Sequence, residues 1–428
     1  MLSSFYIQNF RSILELKLDF TYGEGKAPNG YKGQEVLPFI EAGNKQRFVP
    51  CMAFFGANAS GKTNLLKALA VFQTMVREGA ELPKLFEPNL LNPKFSNTTF
   101  ALVFILSGAC FEYRVSYNAT EIQEEALHKN GKALFSIHHL KTTFSAQIVS
   151  PSYSEAKLSD ILHVECSDGE GRQTKLFLNR IGIGYPGLDS DLRSAFAFFT
   201  KSITLWMNRD DIPLNVAVEV LASAMNGDEK AALLEITEVV RRLDIDIVAI
   251  DIARQEIATN EAVPHGIMTI NRITGTRHSL KITATHNDIS GTPAYLDFLK
   301  HESAGTQRLA GLVGIVLHAL KTGSVLVVDE LECSLHPLLI KEIVMLFKKH
   351  RHNPHGAQLI VTTHNTDILD DSILRLSEIA LVRKTTANGT LVRRLIDAKN
   401  DGEDMRNVTN FRKQYLAGYY SAIPHPAL

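Results

Sequence analysis

One short glycine-rich stretch most constrains what this chain can fold into. Residues Gly56–Thr63 read Gly-Ala-Asn-Ala-Ser-Gly-Lys-Thr, a complete G-x-x-x-x-G-K-[ST] pattern. The apolar, strand-like run Phe48–Phe55 precedes it, and the helix-like run Asn64–Leu69 follows it. A strand, a glycine-rich loop and a helix in this order form the context in which the pattern binds phosphate. The alternative is a Gly-Ser turn before an ordinary helix, which needs no strand in front of it.

The residue types of this loop suit a nucleoside triphosphate. Glycines let the backbone approach a phosphate without a Cβ in the way, and the amides at the start of a helix attract anions. Lys62 is expected to reach the β- and γ-phosphates, and the Thr63 hydroxyl to ligate Mg²⁺. The residues predicted to bind nucleotide here are Gly56, Ala57, Asn58, Ala59, Ser60, Gly61, Lys62, Thr63 and Asn64.

Length and charge narrow the class of protein. The 428 residues are 45% hydrophobic and 21% charged, which is typical of a globular protein with two lobes. The formal net charge of −1 provides no global basic field, so charge does not support nucleic acid as a partner. The 4 cysteines form no C-x-x-C pair, so neither a zinc site nor a disulfide framework is indicated.

Hydropathy argues against a membrane protein. The longest apolar helix candidate, Leu309–Leu320, is too short to span a bilayer. The first residues lack the basic segment of a signal peptide. We therefore expect a cytoplasmic protein with no membrane partner.

The chain is expected to be an α/β protein whose nucleotide-binding lobe is split in sequence. Residues 1–97 form the first part of that lobe, and 98–150 contain short alternating runs typical of an antiparallel meander. Residues 151–300 are largely of helical period with returning strands, and 301–428 form the second part of the lobe. Phe196, Phe198, Phe199 and Trp206 have helical spacing and are assigned to the core of the helical region.

A second motif supplies the carboxylates that the loop requires. Ser324–Val328 is an apolar run typical of a buried parallel strand, and it ends at Asp329 and Glu330. Asp329 is expected to hold Mg²⁺, and Glu330 to act as the general base on the attacking water. On its own, an apolar run that ends in Asp-Glu would more often be purely structural.

A further buried run, Gln358–Val361, leads through two threonines to His364. A histidine at the end of a strand is able to donate a hydrogen bond to a γ-phosphate oxygen. The alternative is that His364 caps the next helix. The predicted catalytic residues are Lys62, Glu330 and His364.

A second helix start precedes the acidic strand. Ser303 and Gly305 open a helix, which makes a second anion site by geometry alone. One nucleotide does not need two helix starts from one lobe, so this site is expected to serve the γ-phosphate bound by a second protomer. The alternative is that Ser303 is a plain helix cap.

Together these residues resemble the ABC-type ATPase heads of the SMC, RecF and OLD class. The resemblance covers residues 1 to about 385 and implies a P-loop NTPase fold with an inserted antiparallel β subdomain and a helical subdomain. It adds Arg11, from the Asn-Phe-Arg-Ser opening, to the nucleotide-binding residues. It implies a signature at Ser303, Ala304, Gly305 and Gln307, a D-loop at Ser334, Leu335 and His336, and metal ligands at Thr63 and Asp329.

The same resemblance implies ATP and Mg²⁺ as cofactors and a homodimer or higher homo-oligomer that encloses ATP between protomers. Ser-Ala-Gly-Thr-Gln departs from the usual Ser-Gly-Gly-Gln signature. In such heads a glutamine also couples the lobes, and Gln123 is a candidate for it. The alternative for Gln123 is a solvated strand residue.

The C-terminal segment Phe411–Pro424 resembles the tails of stand-alone ATPases of abortive-infection and restriction-linked loci, nearest the RloA group. Too few residues follow His364 for the Toprim domain of OLD-type nucleases. We therefore expect an ATPase that serves an anti-phage system as sensor or motor and controls a separately encoded effector. The alternatives are a DNA-binding repair ATPase of the RecF or SMC kind, and an ATP-gated scaffold that sequesters an effector.

Overall fold

A computed structural model describes most of the chain in two compact units. The first unit comprises Met1–Met207, Gly323–Leu331 and Lys341–Leu428, and the second comprises Asn208–Thr322 and Glu332–Ile340. The described residues are 1–22, 47–91, 93–150, 152–185, 187–207, 213–243, 246–257, 269–271, 277–333, 335–385, 387–397, 399–400, 403–404 and 411–418. The insertion predicted over Tyr22–Gln46 lies almost wholly outside these ranges.

The elements are numbered in chain order. The strands are β1 (Leu2–Phe10), β2 (Ile13–Asp19), β3 (Cys51–Phe55), β4 (Thr98–Leu106), β5 (Ala109–Tyr117), β6 (Ile122–Lys129), β7 (Lys132–His138), β8 (Lys141–Phe144), β9 (Ile203–Trp206), β10 (Ala249–Ile257), β11 (Thr269–Asn271), β12 (Arg277–Asn287), β13 (Pro293–Asp297), β14 (Val325–Val328), β15 (Gln358–Thr362), β16 (Ile379–Thr385), β17 (Gly389–Arg394), β18 (Lys399–Asn400) and β19 (Glu403–Asp404). The α-helices are α1 (Lys62–Glu78), α2 (Leu82–Leu85), α3 (Glu155–Asp160), α4 (Phe177–Gly184), α5 (Ser190–Lys201), α6 (Leu214–Ser223), α7 (Glu229–Arg242), α8 (Phe298–His301), α9 (Ala304–Thr322), α10 (Pro337–Lys348) and α11 (Phe411–Leu416).

The first unit is built on one mixed sheet. In the described residues it has 13 strands in the order β8-β7-β6-β5-β4-β1-β2-β17-β16-β3-β15-β14-β9. Strands β16, β3, β15, β14 and β9 pair in parallel. Every residue of β3, β14 and β15 is buried, which explains why these strands are continuous apolar runs in the sequence. Their carboxyl ends lie at one edge of the sheet, where α/β folds bind ligands.

The predicted meander continues this sheet. Strand β4 pairs with β1 along its length, with Phe5 opposite Leu102 and Ile7 opposite Phe100. Strands β5 to β8 then follow as antiparallel neighbours. The sequence shows the alternation of these strands, but it does not show that β1 extends them into the nucleotide-binding lobe.

Helix α1 covers one face of the sheet through an aromatic cluster. The Phe72 ring lies 5.2 Å from that of Phe199, 5.4 Å from Phe100, 5.5 Å from Tyr113 and 6.2 Å from Phe5, centroid to centroid. Phe72 is fully buried, and such aromatic contacts fix the helix against the sheet. This packing sets the position of the helix N-terminus, which follows the glycine-rich loop.

The region after the meander is anchored by a buried carboxylate. Glu125 on β6 accepts hydrogen bonds from the Tyr113 hydroxyl, the Gln173 amide and the backbone N–H groups of Phe177 and Leu178. The last two begin α4, so the carboxylate caps that helix. Burial raises the pKa of Glu125.

The assignment of Trp206 to a helical core is wrong. Trp206 ends β9, a four-residue strand at the sheet edge that pairs in parallel with β14. Its backbone carbonyl accepts from the Asp329 N–H at 2.9 Å. Phe198 and Phe199 do lie on a helix, α5, and are buried in the main core. A strand this short is too brief for its alternation to be recognised beside a long helix.

The second unit combines helices with a small antiparallel sheet. Helices α6 and α7 pack on α9, where Gly314 lets them approach, because a Cβ there would lie 2.7 Å from that of Ala217. Strand β12 pairs with β10, β11 and β13. Of the elements found over 151–300, α6, α7 and β10 to β13 lie in this unit, whereas α3, α4 and α5 lie in the first unit.

The predicted fold class is confirmed. A parallel centre with a glycine-rich loop between β3 and α1 defines an α/β P-loop NTPase, and the antiparallel strands and helical unit are the additions expected of an ABC-type head. The boundaries of the four predicted segments stay a prediction. Within the described ranges, the helices are all too short or too polar to reach across a bilayer.

Candidate functional site

The glycine-rich loop joins the carboxyl end of β3 to the N-terminus of α1, as the sequence predicts. Gly61 precedes the helix with φ 102°, and Ala59 has φ 59°. The Lys62 ammonium is buried and donates to the carbonyls of Gly56 at 2.8 Å and Ala57 at 3.1 Å. These carbonyls hold the lysine within the curve of the loop, where its charge adds to the positive end of the helix dipole.

Strands β16 and β17 pack closely against the glycine-rich loop. A Cβ on Gly56 would lie 2.2 Å from the Val382 carbonyl oxygen of β16. A Cβ on Gly61 would lie 2.1 Å from Thr390 Oγ1 of β17 and 3.0 Å from Ser12 Oγ. Both glycines are therefore required by close packing, and Gly61 also by its positive φ.

The structure brings the two predicted metal ligands together. Thr63 Oγ1 at the start of α1 lies 3.3 Å from Asp329 Oδ1 at the end of β14, across 266 positions of sequence. Thr362 Oγ1 donates to the same carboxylate oxygen at 2.5 Å. Asp329 is 8% exposed. A buried carboxylate held by two hydroxyls is oriented before any ligand binds.

Glu330 departs from the line of its strand. Its backbone φ is 50°, a value that residues other than glycine seldom adopt. The Thr362 hydroxyl accepts from the Glu330 N–H at 2.8 Å, and the Leu331 N–H donates to the Thr362 carbonyl at 3.1 Å. Thr362 thus holds both acidic residues, a role that the sequence analysis did not assign to it.

Arg11 lies in the turn between β1 and β2 and is paired with Glu87. The Arg11 guanidinium lies 2.5 Å from the Glu87 carboxylate, and the Arg11 N–H donates to the Glu87 carbonyl at 2.7 Å. The predicted contact of Arg11 with nucleotide stays a prediction.

A chain of side chains behind the loop was missed by the sequence analysis. Asn64 Nδ2 donates to Ser12 Oγ at 2.7 Å, and Ser12 Oγ lies 2.7 Å from Thr390 Oγ1. Thr390 Oγ1 donates to the Ser60 carbonyl at 3.2 Å. The members come from three distant parts of the chain, and a single serine or threonine has no recognisable pattern, so no sequence feature could have found them.

His364 follows β15 at the same edge of the sheet and is exposed. The cap of the short 3₁₀ helix Thr366–Ile368 is the side chain of Asn365, which accepts from the Asp367 N–H. His364 is therefore placed at the edge that carries Asp329, while the capping contact belongs to its neighbour.

The predicted signature lies in the second unit. Helix α9 begins at Ala304, and the Ser303 hydroxyl accepts from the Thr306 N–H at 3.1 Å. Ser303 and Ala304 are exposed. Gln307 donates to the carbonyls of Glu302 at 2.9 Å and Leu299 at 3.2 Å. Ser303 thus caps its own helix while its side chain remains at the surface.

The predicted D-loop also belongs to the second unit, except that Ser334 lies outside the described residues. Leu335 is buried, and His336 is exposed and accepts from the Leu338 N–H at 3.3 Å. Gln123 lies on β6, where its side-chain oxygen accepts from Asn97 at 2.5 Å. Its assignment as the coupling glutamine stays a prediction.

The donor set of the first unit fits a phosphate with Mg²⁺. Among the described residues, no group of three or more His, Cys, Asp or Glu side chains is placed to hold a metal ion. A hydroxyl and one carboxylate, here Thr63 and Asp329, are what Mg²⁺ uses when phosphates supply its other ligands. Ser60 is 5% exposed, and its hydroxyl has no hydrogen-bond partner in the part of the chain described. An unsatisfied buried hydroxyl in this loop is suited to donate to an anionic ligand.

A family model described as "AAA domain, putative AbiEii toxin, Type IV TA system" matches residues 51–157 and 240–370, more than half of the chain. The chain belongs to this family. Both matched ranges carry residues that the sequence predicts for the site, since the first contains the glycine-rich loop and the second contains Ser303, Asp329, Glu330 and His364.

A comparison with curated proteins gives no match. Among solved structures, the SMC head domain from Thermotoga maritima is similar over 92% of this chain and 98% of that chain, with 14% identity and a TM-score of 0.41. A TM-score of this size is too low to bear on the fold, which the strand order of this AAA-domain protein defines by itself.

We expect Gly61→Ala to destabilise the protein far more than Gly131→Ala. Both glycines have positive φ, 102° and 77°, so alanine costs each of them about 1 kcal/mol of backbone strain. Only Gly61 also has a close neighbour, whereas nothing lies within 4 Å of a Cβ at Gly131. The additional loss at Gly61 should be about 1–3 kcal/mol in urea unfolding. Equal losses would contradict the packing of β17 on the loop.

Proposed function

We propose that this protein hydrolyses ATP to ADP and phosphate. The observation that carries the proposal is the contact of Thr63 with Asp329, because it joins the phosphate-binding loop to an acidic strand end. Phosphoryl transfer requires little covalent chemistry from the protein. It depends on positioning and on charge stabilisation, and both features meet at this edge of the sheet.

The loop binds the phosphates of the substrate in this proposal. The amides from Gly56 to Lys62 surround the β-phosphate, and the Lys62 ammonium exchanges its carbonyl partners for phosphate oxygens. Thr63 and Asp329 hold Mg²⁺, which neutralises negative charge on the phosphates when it is bound.

Glu330 is the proposed general base. Its positive φ turns it away from the line of β14, and Thr362 fixes its backbone beside Asp329. A carboxylate at this position is able to take a proton from a water that attacks the γ-phosphate. His364, at the end of the neighbouring strand β15, donates to the γ-phosphate in the proposed site.

A second protomer completes the site in this proposal. Ser303, Ala304, Gly305 and Gln307 contact the γ-phosphate held by the partner copy, so that two protomers enclose two nucleotides. The exposure of Ser303 and Ala304 at the start of the 19-residue helix α9 supports this role. The D-loop residues Ser334, Leu335 and His336 line the same interface.

The biological role we propose is that of sensor or motor in an anti-phage system of the abortive-infection type, with control of a separate effector. The family description names a putative AbiEii toxin and a type IV toxin–antitoxin system. The C-terminal segment that begins at Phe411 resembles RloA-like ATPases, and its helix α11 packs Tyr415 against Phe55 of β3, with ring centroids 6.2 Å apart. Through this contact, a movement of β3 on nucleotide binding would be passed directly to the C-terminal helix α11.

Lys62→Ala should abolish nucleotide binding, because it removes the only ammonium that the loop holds among the described residues. The measurement is calorimetric titration with Mg·ATP. Lys67→Ala, on the next turn of α1, is the matched control and should bind as the unchanged protein does. Retained binding in Lys62→Ala would contradict the assigned phosphate site.

Glu330→Gln should bind Mg·ATP but hydrolyse it about 10²- to 10⁴-fold more slowly, the usual contribution of a general base. Because bound ATP then persists, the solution mass of this variant should double on addition of Mg·ATP, as light scattering would show. Glu342→Gln, exposed on α10, is the control and should turn over normally.

The outcomes separate the parts of the proposal. Normal turnover in Glu330→Gln would remove it as the base. A monomer that binds ATP without doubling would mean that Ser303 is only a helix cap. An oligomer already present without nucleotide would contradict assembly driven by ATP.

The defence role predicts that cells carrying the intact locus plate phage less efficiently than cells without it. Lys62→Ala should restore plating, and Lys67→Ala should not, because only the first removes nucleotide binding. A plaque assay with a panel of phages makes the measurement. Equal protection by both variants would separate defence from the ATP site.

A further inference from the structure

The hydrogen-bond chain behind the phosphate-binding loop has a single direction. A threonine hydroxyl carries one proton, and that of Thr390 is donated to the Ser60 carbonyl. The short contact between Thr390 and Ser12 must therefore use the proton of Ser12. Ser12 in turn accepts from the Asn64 amide. The order is Asn64 to Ser12 to Thr390 to the Ser60 carbonyl, with every donor and acceptor assigned.

This chain ends on the peptide unit that joins Ser60 to Gly61. The chain has no cis peptide bond among the described residues. In a trans peptide the C=O and the following N–H point in opposite directions. Because Thr390 of β17 binds the Ser60 carbonyl, the Gly61 N–H points away from Thr390.

Thr390 is well placed to act as a fixed anchor. It is fully buried, and its N–H donates to the Ser12 carbonyl at 2.7 Å. Gly389 pairs with Ile13, and a Cβ on Gly389 would lie 2.2 Å from the Ser12 carbonyl oxygen. The start of β17 is thus held tightly to the turn that carries Ser12, so the hydroxyl of Thr390 has little freedom to follow a moving loop.

We propose that Thr390, assisted by Ser12, is a positioning residue that orients the Gly61 N–H toward the bound phosphate. The inference rests on the proposed nucleotide site and adds to it a residue 330 positions away from the loop. Without the hydroxyl, the Ser60–Gly61 peptide is free to rotate, and a carbonyl oxygen then faces the phosphate in place of an N–H. A negative oxygen opposite a negative phosphate opposes binding.

The same chain changes the role of Asn64. Its side-chain NH2 donates to Ser12 Oγ, so Asn64 supports the loop through the Ser12–Thr390 hydrogen bonds. The prediction that Asn64 binds nucleotide directly stays a prediction, because the side-chain NH2 has a second N–H beyond the one that Ser12 accepts.

The test compares three buried-threonine variants by calorimetric titration with Mg·ATP. Thr390→Val keeps the shape and removes the hydroxyl, and it should weaken binding roughly 10- to 100-fold, the usual contribution of one hydrogen bond to a charged group, here that of the Gly61 N–H to the phosphate. Thr390→Ser keeps the hydroxyl and should bind within about 2-fold of the unchanged protein. Thr99→Val is the matched control, because Thr99 is buried and donates to Ser116 on strands of the meander.

A role in overall stability would give a different pattern. The melting temperature without nucleotide should fall by similar amounts in Thr390→Val and Thr99→Val, while only Thr390→Val loses affinity. If Thr390→Val does not fold, Ser12→Ala provides the second variant. It leaves the Thr390 hydroxyl in place but removes its donor, so its affinity should lie between those of Thr390→Ser and Thr390→Val.

The outcomes distinguish this inference from the proposed function. If Thr390→Val, or Ser12→Ala in its place, binds Mg·ATP as tightly as the unchanged protein, the positioning role is overturned and the nucleotide site stands. If the unchanged protein does not bind Mg·ATP, the proposed function is wrong and this inference falls with it. Loss of affinity in Thr390→Val with recovery in Thr390→Ser supports both.

Discussion

The site depends on the hydrogen bonds that Thr362 makes at the end of β15. Its hydroxyl donates to the Asp329 carboxylate and accepts from the Glu330 N–H, so one side chain fixes both acidic residues. Asp329 in turn contacts Thr63 at the start of α1. The three elements β14, β15 and α1 are thereby tied at one point. A ligand that binds there finds its partners already oriented, which lowers the cost of ordering them.

Strain at Glu330 fits this picture. A residue other than glycine with φ near 50° costs of order 1 kcal/mol or more, and such residues are retained where the surrounding structure enforces them. Thr362 provides that enforcement through both its side chain and its carbonyl. The strand would otherwise continue straight, with the Glu330 side chain in line with those of β14. Thr362 therefore holds Glu330 in a backbone conformation that a continuing strand does not have.

The sequence predicts the parts of this site that are local. The loop and the apolar runs of β14 and β15 each have a pattern within a few residues, and each is found close to its predicted bounds. What could not be predicted depends on residues far apart in the chain. Strand β9 is four residues long, and its pairing with β14 is what makes it a strand. The contacts of Ser12 and Thr390 have no local pattern, because burial and partners decide their role.

The glycine-rich loop and the strands that support it are far apart in the sequence, and this has a consequence for synthesis of the protein. The sequence of the loop is complete early, but the wall behind it is formed by β16 and β17, and Thr390 lies 330 positions after Ser60. At about 5–20 residues per second, roughly 15 to 65 s separate the two during translation. In that interval the nascent chain has the whole glycine-rich loop but lacks the strands that shape it. ATP, abundant in any cell, therefore has no formed site to occupy until β16 and β17 have been synthesised.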